Sequence, residues 1–194
     1  MKGSKGDKLG KWSSIIATLG TMTLAITATI TVFITLNAWK VERESARPYF
    51  SLQEAPKVEG KSGISFEFKF SNVGIHPATN LASRTLVFLQ DMDDAPLHDD
   101  QYQLVNEIPK DMTTSMVIAL EASEAADHEL EQNPSYIVVH LQYEDPIIKR
   151  RYNQTLYYRW DGKNGDEYHP LVHVEAKEME KITEYFKGQK VILE

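Results

Sequence analysis

The most chemically suggestive part of this sequence is an acidic run that ends beside a histidine. Asp91, Asp93 and Asp94 are followed, after three intervening residues, by His98-Asp99-Asp100. Carboxylate oxygens are the ligands that calcium prefers, so this composition could hold a hard cation. The spacing does not match an EF-hand loop, which requires a glycine at its sixth position and a distant bidentate glutamate. We predict no metal site here and keep calcium binding as the alternative.

The other groups that commonly carry out catalysis do not form a recognised constellation. The histidines lack the spacing of a zinc-binding helix or knuckle, and the chain has no cysteine for thiol chemistry. His140 lies within an apolar run, where a hydrogen-bonded interior histidine is more common than a base. The sequence contains no nucleophile elbow, phosphate-binding glycine loop or dinucleotide fingerprint. We therefore predict that the protein is not an enzyme and uses no cofactor.

A group of basic and aromatic residues suggests recognition of a partner instead. Arg, Tyr and Trp are the residue types enriched at binding hot spots. The candidates for a partner-facing surface are Arg150, Arg151, Tyr152, Tyr158 and Trp160. The alternative is a β-hairpin that turns at Asp145-Pro146, with cations at its exposed end and alternate aromatic side chains filling the core.

Short strands separated by turn residues dominate the sequence after residue 48. Ile64, Phe66, Phe68 and Phe70 alternate with polar residues, which is the period-two pattern of a strand with one solvent-facing side. Similar runs predict strands at 49–52, 64–70, 84–90, 102–105, 113–120, 136–143 and 152–160. That number of strands fits two packed sheets, so we predict an immunoglobulin-like β-sandwich over residues 48–174.

Two helices are predicted outside the strands. The first is a short crossing helix within 121–132, where Ala and Glu are frequent. The second lies in the C-terminal region 175–194, where good helix formers surround Ile182 and Gly188 supplies a stop. We expect its apolar stripe and the apolar tail 191–193 to pack on the sandwich, and docking onto a partner is the alternative.

A strand-end pattern, Asn72-x-Gly74-x-x-Pro77-Ala78, resembles CARDB-like and other immunoglobulin-like modules of bacterial surface and cell-envelope proteins. Tyr136 is a second point of similarity, because immunoglobulin domains place a tyrosine near the start of strand F, where its hydroxyl bonds back to the backbone. The whole chain is similar to small bacterial single-pass membrane proteins with such a domain, mostly of unassigned function. The resemblance implies an immunoglobulin-like fold and a place in the cell envelope.

An uncharged segment from Trp12 to Trp39 is long enough to cross a bilayer as a helix. A hydrocarbon core of about 30 Å requires roughly 20 apolar residues. The alternative is a cleaved signal peptide, with a poor cleavage site at Leu36-Asn37-Ala38. Secretory apolar regions run about 7 to 15 residues, whereas this longer segment is bracketed by two tryptophans, as interfacial anchors are. The predicted parts are a basic flank over 1–11, a transmembrane helix over 12–39 and a linker over 40–47.

The basic residues around this segment predict its orientation. Four lysines precede it, at positions 2, 5, 8 and 11, whereas Lys40, Arg43 and Arg47 follow it. Because the richer side stays in the cytoplasm, we predict a bacterial inner (cytoplasmic) membrane protein with a cytoplasmic N-terminus and a periplasmic C-terminal domain. The difference is small, and the opposite orientation stays open. The formal net charge of −7 argues against binding to nucleic acid.

Small residues recur inside the apolar segment at a helical spacing. Ala17, Thr21, Ala25 and Thr29 lie four residues apart and so share one face of a helix. Small side chains allow another helix to approach closely, which makes these four candidates for contact with another membrane subunit or with a second copy. The alternative is that each hydroxyl bonds to the carbonyl one turn earlier in its own helix.

Together these features predict a mainly β protein with one N-terminal transmembrane helix, an immunoglobulin-like β-sandwich and a short C-terminal helix. The predicted function is that of a membrane-anchored structural or accessory subunit of a membrane protein complex, acting by binding through the helix and the extracytoplasmic sandwich. The alternative is a membrane-tethered sensor or a ligand- or carbohydrate-binding module.

Overall fold

A computed structural model describes residues 6–60, 63–127, 130–165 and 167–193. The chain divides into two compact units, Met1–Ala46 and Arg47–Glu194. The first contains one long helix, and the second contains antiparallel sheets and two short helices. This confirms the predicted fold class. Part of the predicted basic flank, residues 1–5, lies outside the described residues.

The first unit is built on α1 (Gly6–Ser45), a helix of 40 residues. Its window Ser14–Ser45 is long and apolar enough to cross a membrane, and no side chain within that window is buried. The helix extends past the predicted end at residue 39, so most of the predicted linker 40–47 is helical. The reason is local, because residues 40–45 contain no glycine or proline and include good helix formers. The Arg43 guanidinium also lies 4.5 Å from the Trp39 ring centroid, one turn earlier.

The second unit contains all of the strands found in the described ranges. In chain order they are β1 (Phe50–Leu52), β2 (Lys57–Glu59), β3 (Gly63–Asn72), β4 (Thr79–Leu89), β5 (His98–Leu104), β6 (Thr113–Glu121), β7 (Ser135–Asp145), β8 (Arg150–Trp160), β9 (Lys163–Asn164), β10 (Glu167–Tyr168) and β11 (Val172–His173). The seven predicted strands correspond to β1, β3, β4, β5, β6, β7 and β8, with boundaries shifted by up to five residues.

The longer strands form two antiparallel sheets. In the first sheet, β1 and β2 pair with opposite halves of β3 along one edge, and β6 pairs with the other edge. The second sheet has the order β11-β8-β7-β4-β5. In immunoglobulin terms, the first sheet contains strand A (β1 and β2 together), strand B (β3) and strand E (β6). The second sheet contains strands G, F, C and C′, which are β8, β7, β4 and β5 in that order.

The core lies between the two sheets and is rich in aromatic side chains. Phe66 and Phe68 of β3 are fully buried, as the alternating pattern predicts. The ring of Phe66 meets that of Trp160 edge-on at a centroid distance of 5.2 Å, and Phe68 meets Tyr158 at 5.5 Å. These contacts join β3 to β8 across the sandwich and confirm the face-to-face packing.

The C-terminal helix α3 (Ala176–Gln189) covers the outer face of the second sheet. Its buried residues Ile182, Tyr185 and Phe186 pack against that face, and the rings of Tyr185 and Phe88 stack at 4.8 Å. The predicted packing of this helix on the sandwich is therefore confirmed.

The ends of the two short helices differ slightly from expectation. The helix α2 (Ala122–Asp127) occupies the predicted crossing. In α3, the predicted stop at Gly188 is wrong, because that residue is helical and Lys190 adopts the left-handed conformation with φ of 56°. The N–H of Val191 then bonds to the carbonyl of Phe186, which ends the helix and directs the apolar tail back along the domain.

Candidate interaction surfaces

The predicted partner-facing cluster does not form one surface. Trp160 and Tyr158 are 0% and 1% exposed, so their assignment to a surface is wrong. Both point into the core because even-numbered residues at this end of β8 face the first sheet. The indole N–H of Trp160 donates to the carbonyl of His169 at 3.0 Å, and burial raises the pKa of Tyr158 to about 12.

The basic members of the cluster mark the exposed end of the β7–β8 hairpin. Arg151 is largely exposed and lies 3.6 Å from a carboxylate oxygen of Glu144, and Arg150 is also exposed. Tyr152 is half-buried, with the guanidinium of Arg47 over its ring at 5.2 Å. This arrangement matches the hairpin alternative and leaves Arg150, Arg151 and part of Tyr152 as surface candidates.

Asp145 organises the turn of this hairpin and holds His76. Its carboxylate is fully buried, and Oδ1 accepts hydrogen bonds from the N–H groups of Ile147 and Ile148 at 2.8 and 3.1 Å. The other oxygen, Oδ2, lies 2.7 Å from Nδ1 of His76. One carboxylate oxygen of Asp145 thus stabilises the hairpin turn, and the other links this turn to the one that contains His76. The Asp145–His76 pair therefore has a structural role.

The motif that resembles immunoglobulin-like modules is explained by Asn72. Its buried amide oxygen accepts from the N–H groups of Tyr49 and Gly74, at 3.2 and 3.1 Å. Its NH₂ group donates to the carbonyls of His76 and Ile108, at 2.9 and 3.1 Å. A Cβ on Gly74 would overlap the carbonyl oxygen of Arg47. Asparagine and glycine at this spacing thus close the end of the sandwich.

The acidic run divides between a turn and a strand. Asp91, Asp93 and Asp94 lie in the loop after β4. Asp99 instead lies on β5, where it forms a bidentate ion pair with Arg84 through hydrogen bonds of 2.8 and 2.7 Å. The hydrogen bonds from Arg84 hold the pKa of Asp99 below its usual value. Within the part of the chain that the structure describes, no three His, Asp or Glu side chains converge as metal ligands would.

Glu178 joins α3 to the second sheet, a role that no sequence motif predicted. Its Oε1 accepts from the guanidinium of Arg159 at 2.8 Å and from the hydroxyl of Tyr136 at 3.2 Å. Its Oε2 accepts from the N–H of Glu175 at 2.8 Å and so caps the helix. Tyr136 therefore bonds to a helix rather than back to its own backbone as the resemblance implied. The only sequence feature that pointed to this role is that Glu178 is an acidic residue in the first turn of the predicted helix, where a negative charge is favoured.

Burial and hydrogen bonding act in opposite directions on Glu178. Burial disfavours the charged carboxylate, but hydrogen bonds from the Glu175 backbone and from Arg159 outweigh this effect. The net result is a pKa of Glu178 below its usual value. The charged form of this side chain is thus the one that holds α3 in place.

A polar groove lies on the outer face of the second sheet, beside the C-terminal tail. The groove has a volume of about 480 Å³. Its polar lining includes Arg84, Gln101, Gln103, His140 and Gln142. His140 is 4% exposed and its Nδ1 lies 2.7 Å from Oγ1 of Thr155, so it is an interior residue with a hydrogen-bond partner, as predicted. The groove offers amide groups to a neutral polar ligand.

The candidate helix-contact residues lie along α1. The hydroxyl of Thr21 donates to the carbonyl of Ala17, and that of Thr29 to the carbonyl of Ala25, both at 2.9 Å. Both hydroxyl protons are therefore used in hydrogen bonds within the helix, which is the alternative that the sequence left open. Close approach of a second helix along these small side chains stays a prediction.

Comparison with known proteins gives one family. Residues 13–162 match the model of a domain of unknown function, DUF8453. No curated protein matches the chain. The matching solved structures include the trimeric lipoprotein SadB of Salmonella enterica, which is 14% identical with a TM-score of 0.28 over 59% of this chain and 73% of that one. They also include β-glucosidase 3B of Thermotoga neapolitana in complex with α-D-glucose, which is 12% identical with a TM-score of 0.30 over 59% of this chain and 17% of that one.

The family match and the structural matches differ in what they establish. Both structural TM-scores are too low to support any argument about function or detailed fold. The likeness to CARDB-like modules stays a prediction. The family match extends from the apolar helix through almost the whole of the two main sheets. The chain therefore belongs to the DUF8453 family, which is defined as a domain of unknown function.

Proposed function

We propose that the protein is a membrane-anchored structural or accessory subunit that acts by binding. The observation that carries this proposal is the exposed apolar surface of α1. Large side chains on all sides of the helix are exposed, among them Leu24 at 73%, Phe33 at 65% and Ile34 at 61%. A helix that is apolar all round requires an apolar environment, which a bilayer supplies.

The continuity of α1 favours an anchor over a cleaved signal sequence, which passes the same test of length and composition. The helix runs through the candidate cleavage site Leu36-Asn37-Ala38 and ends at Ser45. Its apolar length also exceeds the roughly 7 to 15 residues of a secretory signal. The proposed location is a bacterial inner membrane, with the N-terminus in the cytoplasm and the domain in the periplasm.

Binding is proposed to use both units of the chain. In α1, the small residues Ala17, Thr21, Ala25 and Thr29 offer a strip for another membrane helix. In the domain, Arg150 and Arg151 offer an exposed basic hairpin end on an otherwise acidic chain. An acidic segment of a neighbouring subunit fits that end.

The test is isolation of the full chain from its native membrane in mild detergent, followed by size-exclusion chromatography and mass spectrometry. The double variant T21L/T29L fills the small strip, whereas T23L/T27L makes the same substitutions on the opposite face. We expect a stoichiometric membrane partner with the wild type and with T23L/T27L, and its loss with T21L/T29L. Elution of the wild type alone, or equal association of both variants, would contradict the proposal.

The polar groove favours a second candidate function, a membrane-tethered module that binds a neutral ligand such as a carbohydrate. The side-chain amides of Gln101, Gln103 and Gln142 lie together at its wall. Such a module predicts that sugars raise the melting temperature of the full chain in detergent, and that Q103A/Q142A removes the effect. A melting temperature that no sugar changes would exclude this candidate.

A further inference from the structure

The four long edges of the two sheets are unequally protected against pairing with another chain. The edge formed by β1 and β2 is interrupted at Pro56, and proline and short strands both discourage pairing. On the neighbouring edge, β8 is covered at one end by β11 and carries charged residues at the other. The β5 edge carries Asp99 and Asp100, two acidic residues of the kind that protect exposed strands.

The side of the sandwich between β1 and β8 is also closed by a side chain. The amide of Gln154 on β8 donates to the carbonyl of Phe50 at 2.7 Å and accepts from its N–H at 3.3 Å. The backbone of β1 thus pairs with a side chain of the opposite sheet. At the other side, between β5 and β6, a cleft of about 390 Å³ separates the sheets. Ser83 lies at this cleft, and its buried hydroxyl has no hydrogen-bond partner among the residues described.

β6 has none of these protective features. It pairs with β3 over nine consecutive residue pairs, from Gly63–Glu121 to Ser71–Thr113, with no bulge. From Thr113 to Leu120 it contains no charged residue and no proline. Its opposite edge pairs with no strand in the described parts of the chain, and Val117 at its centre is 59% exposed. A long, regular, uncharged edge of this kind is a template for strand addition.

We propose that β6 pairs antiparallel with β6 of a second copy of this chain, with Val117 opposite Val117 at the twofold axis. This register places Ser115 opposite Ala119 and Thr113 opposite Glu121 on the solvent-facing side. These pairs set small or uncharged side chains against each other, or one charge against a hydroxyl, so no like charges meet along the strand. Pairing through β5 instead would bring acidic residues of two copies together.

The result is one continuous sheet across two copies, in which both β6 edges are paired. A second copy is the occupant that these observations favour, because an isologous contact requires one self-complementary edge and this register brings no like charges together along β6. The inference goes beyond the proposed function, since it requires neither another subunit nor any contact made by α1.

The chain contains no cysteine, so single cysteine variants of the full chain in mild detergent report this contact directly. Antiparallel partners have Cα atoms about 4.5–5.5 Å apart, which is within disulfide reach. We expect V117C to form disulfide-linked homodimers on mild oxidation, and V105C, at an exposed loop position, to form none. T113C and E121C should each remain unlinked alone but become linked to each other when the two variants are mixed.

A second pair of variants measures the dimer without oxidation. V117K places like charges opposite each other at the axis and should convert the dimer to monomer in native mass spectrometry, whereas V117T should leave the dimer intact. A monomeric wild type, V117C linkage no greater than that of V105C, or V117C linkage to a different protein would overturn the proposal. The T21L/T29L variant tests the contact made by α1, whereas the Val117 variants test the β6 dimer. Failure of one proposal is therefore distinguishable from failure of the other.

Discussion

At the scale of single residues, two polar side chains each hold several separate parts of the domain together. Asn72 makes four hydrogen bonds from a fully buried position. Glu178 caps α3 and also accepts from Tyr136 and Arg159. A buried polar group left without its partner costs about 1–3 kcal/mol, so a side chain that satisfies several such groups contributes more than one ordinary hydrogen bond.

Replacing Asn72 with alanine should lower the free energy of unfolding by about 3 kcal/mol, because two N–H groups and two carbonyls lose their partner. Urea unfolding of the full chain in detergent, followed by tryptophan fluorescence, measures the change, since Trp160 is fully buried. The exposed Asn153 supplies the matched control, and N153A should change the stability by less than about 0.5 kcal/mol. Equal losses in the two variants would contradict the role given to Asn72.

Glu178 makes the docking of α3 sensitive to acid. Its pKa is lowered in the folded protein, so its contribution to stability is present above the unfolded pKa of about 4.3 and is lost as the pH falls through the folded value. We expect E178Q to lower stability at pH 7 by about 1–2 kcal/mol and to flatten the acid dependence below about pH 4.5.

Urea unfolding at a series of pH values measures this effect. E180Q, at an exposed position of the same helix, is the control and should keep the wild-type pH profile. An E178Q profile that falls as steeply in acid as the wild type would show that the carboxylate does not hold the helix.

At the scale of elements, α3 depends on a few buried side chains. Ile182 is 0% exposed, whereas Met179 on the same helix is 45% exposed. I182A should therefore reduce the free energy of unfolding by about 2–4 kcal/mol through lost burial and a cavity, and M179A by less than about 1 kcal/mol. Chemical unfolding of both variants provides the measurement, and similar effects of the two would mean that the helix is not docked.

The strands illustrate what local sequence can and cannot predict. The alternation around Phe66 and Phe68 predicts β3 because one side of the strand is apolar and the other polar. β8 carries aromatic residues on both sides, so alternation cannot say that Tyr158 and Trp160 face inward. The short strands β2, β9, β10 and β11 have two or three residues each and are too short to show a period.

At the scale of the whole molecule, the two units differ in how far the sequence predicts them. The absence of charge from Trp12 to Trp39 is enough to predict a long apolar helix. The candidate surfaces depend on which strands become neighbours, and that information is not local. Arg84 reaches Asp99 only because β4 and β5 pair, and the open edge of β6 follows from the sheet order.

The proposed anchoring role requires that α1 stays attached and holds the chain in a membrane. Alkaline carbonate extraction of membranes that contain the full chain, followed by intact-mass measurement of the pellet and the supernatant, tests both requirements. We expect the uncleaved chain of 194 residues in the pellet. A shorter chain that begins after Ala38 and appears in the supernatant would contradict the claim and identify the helix as a cleaved signal.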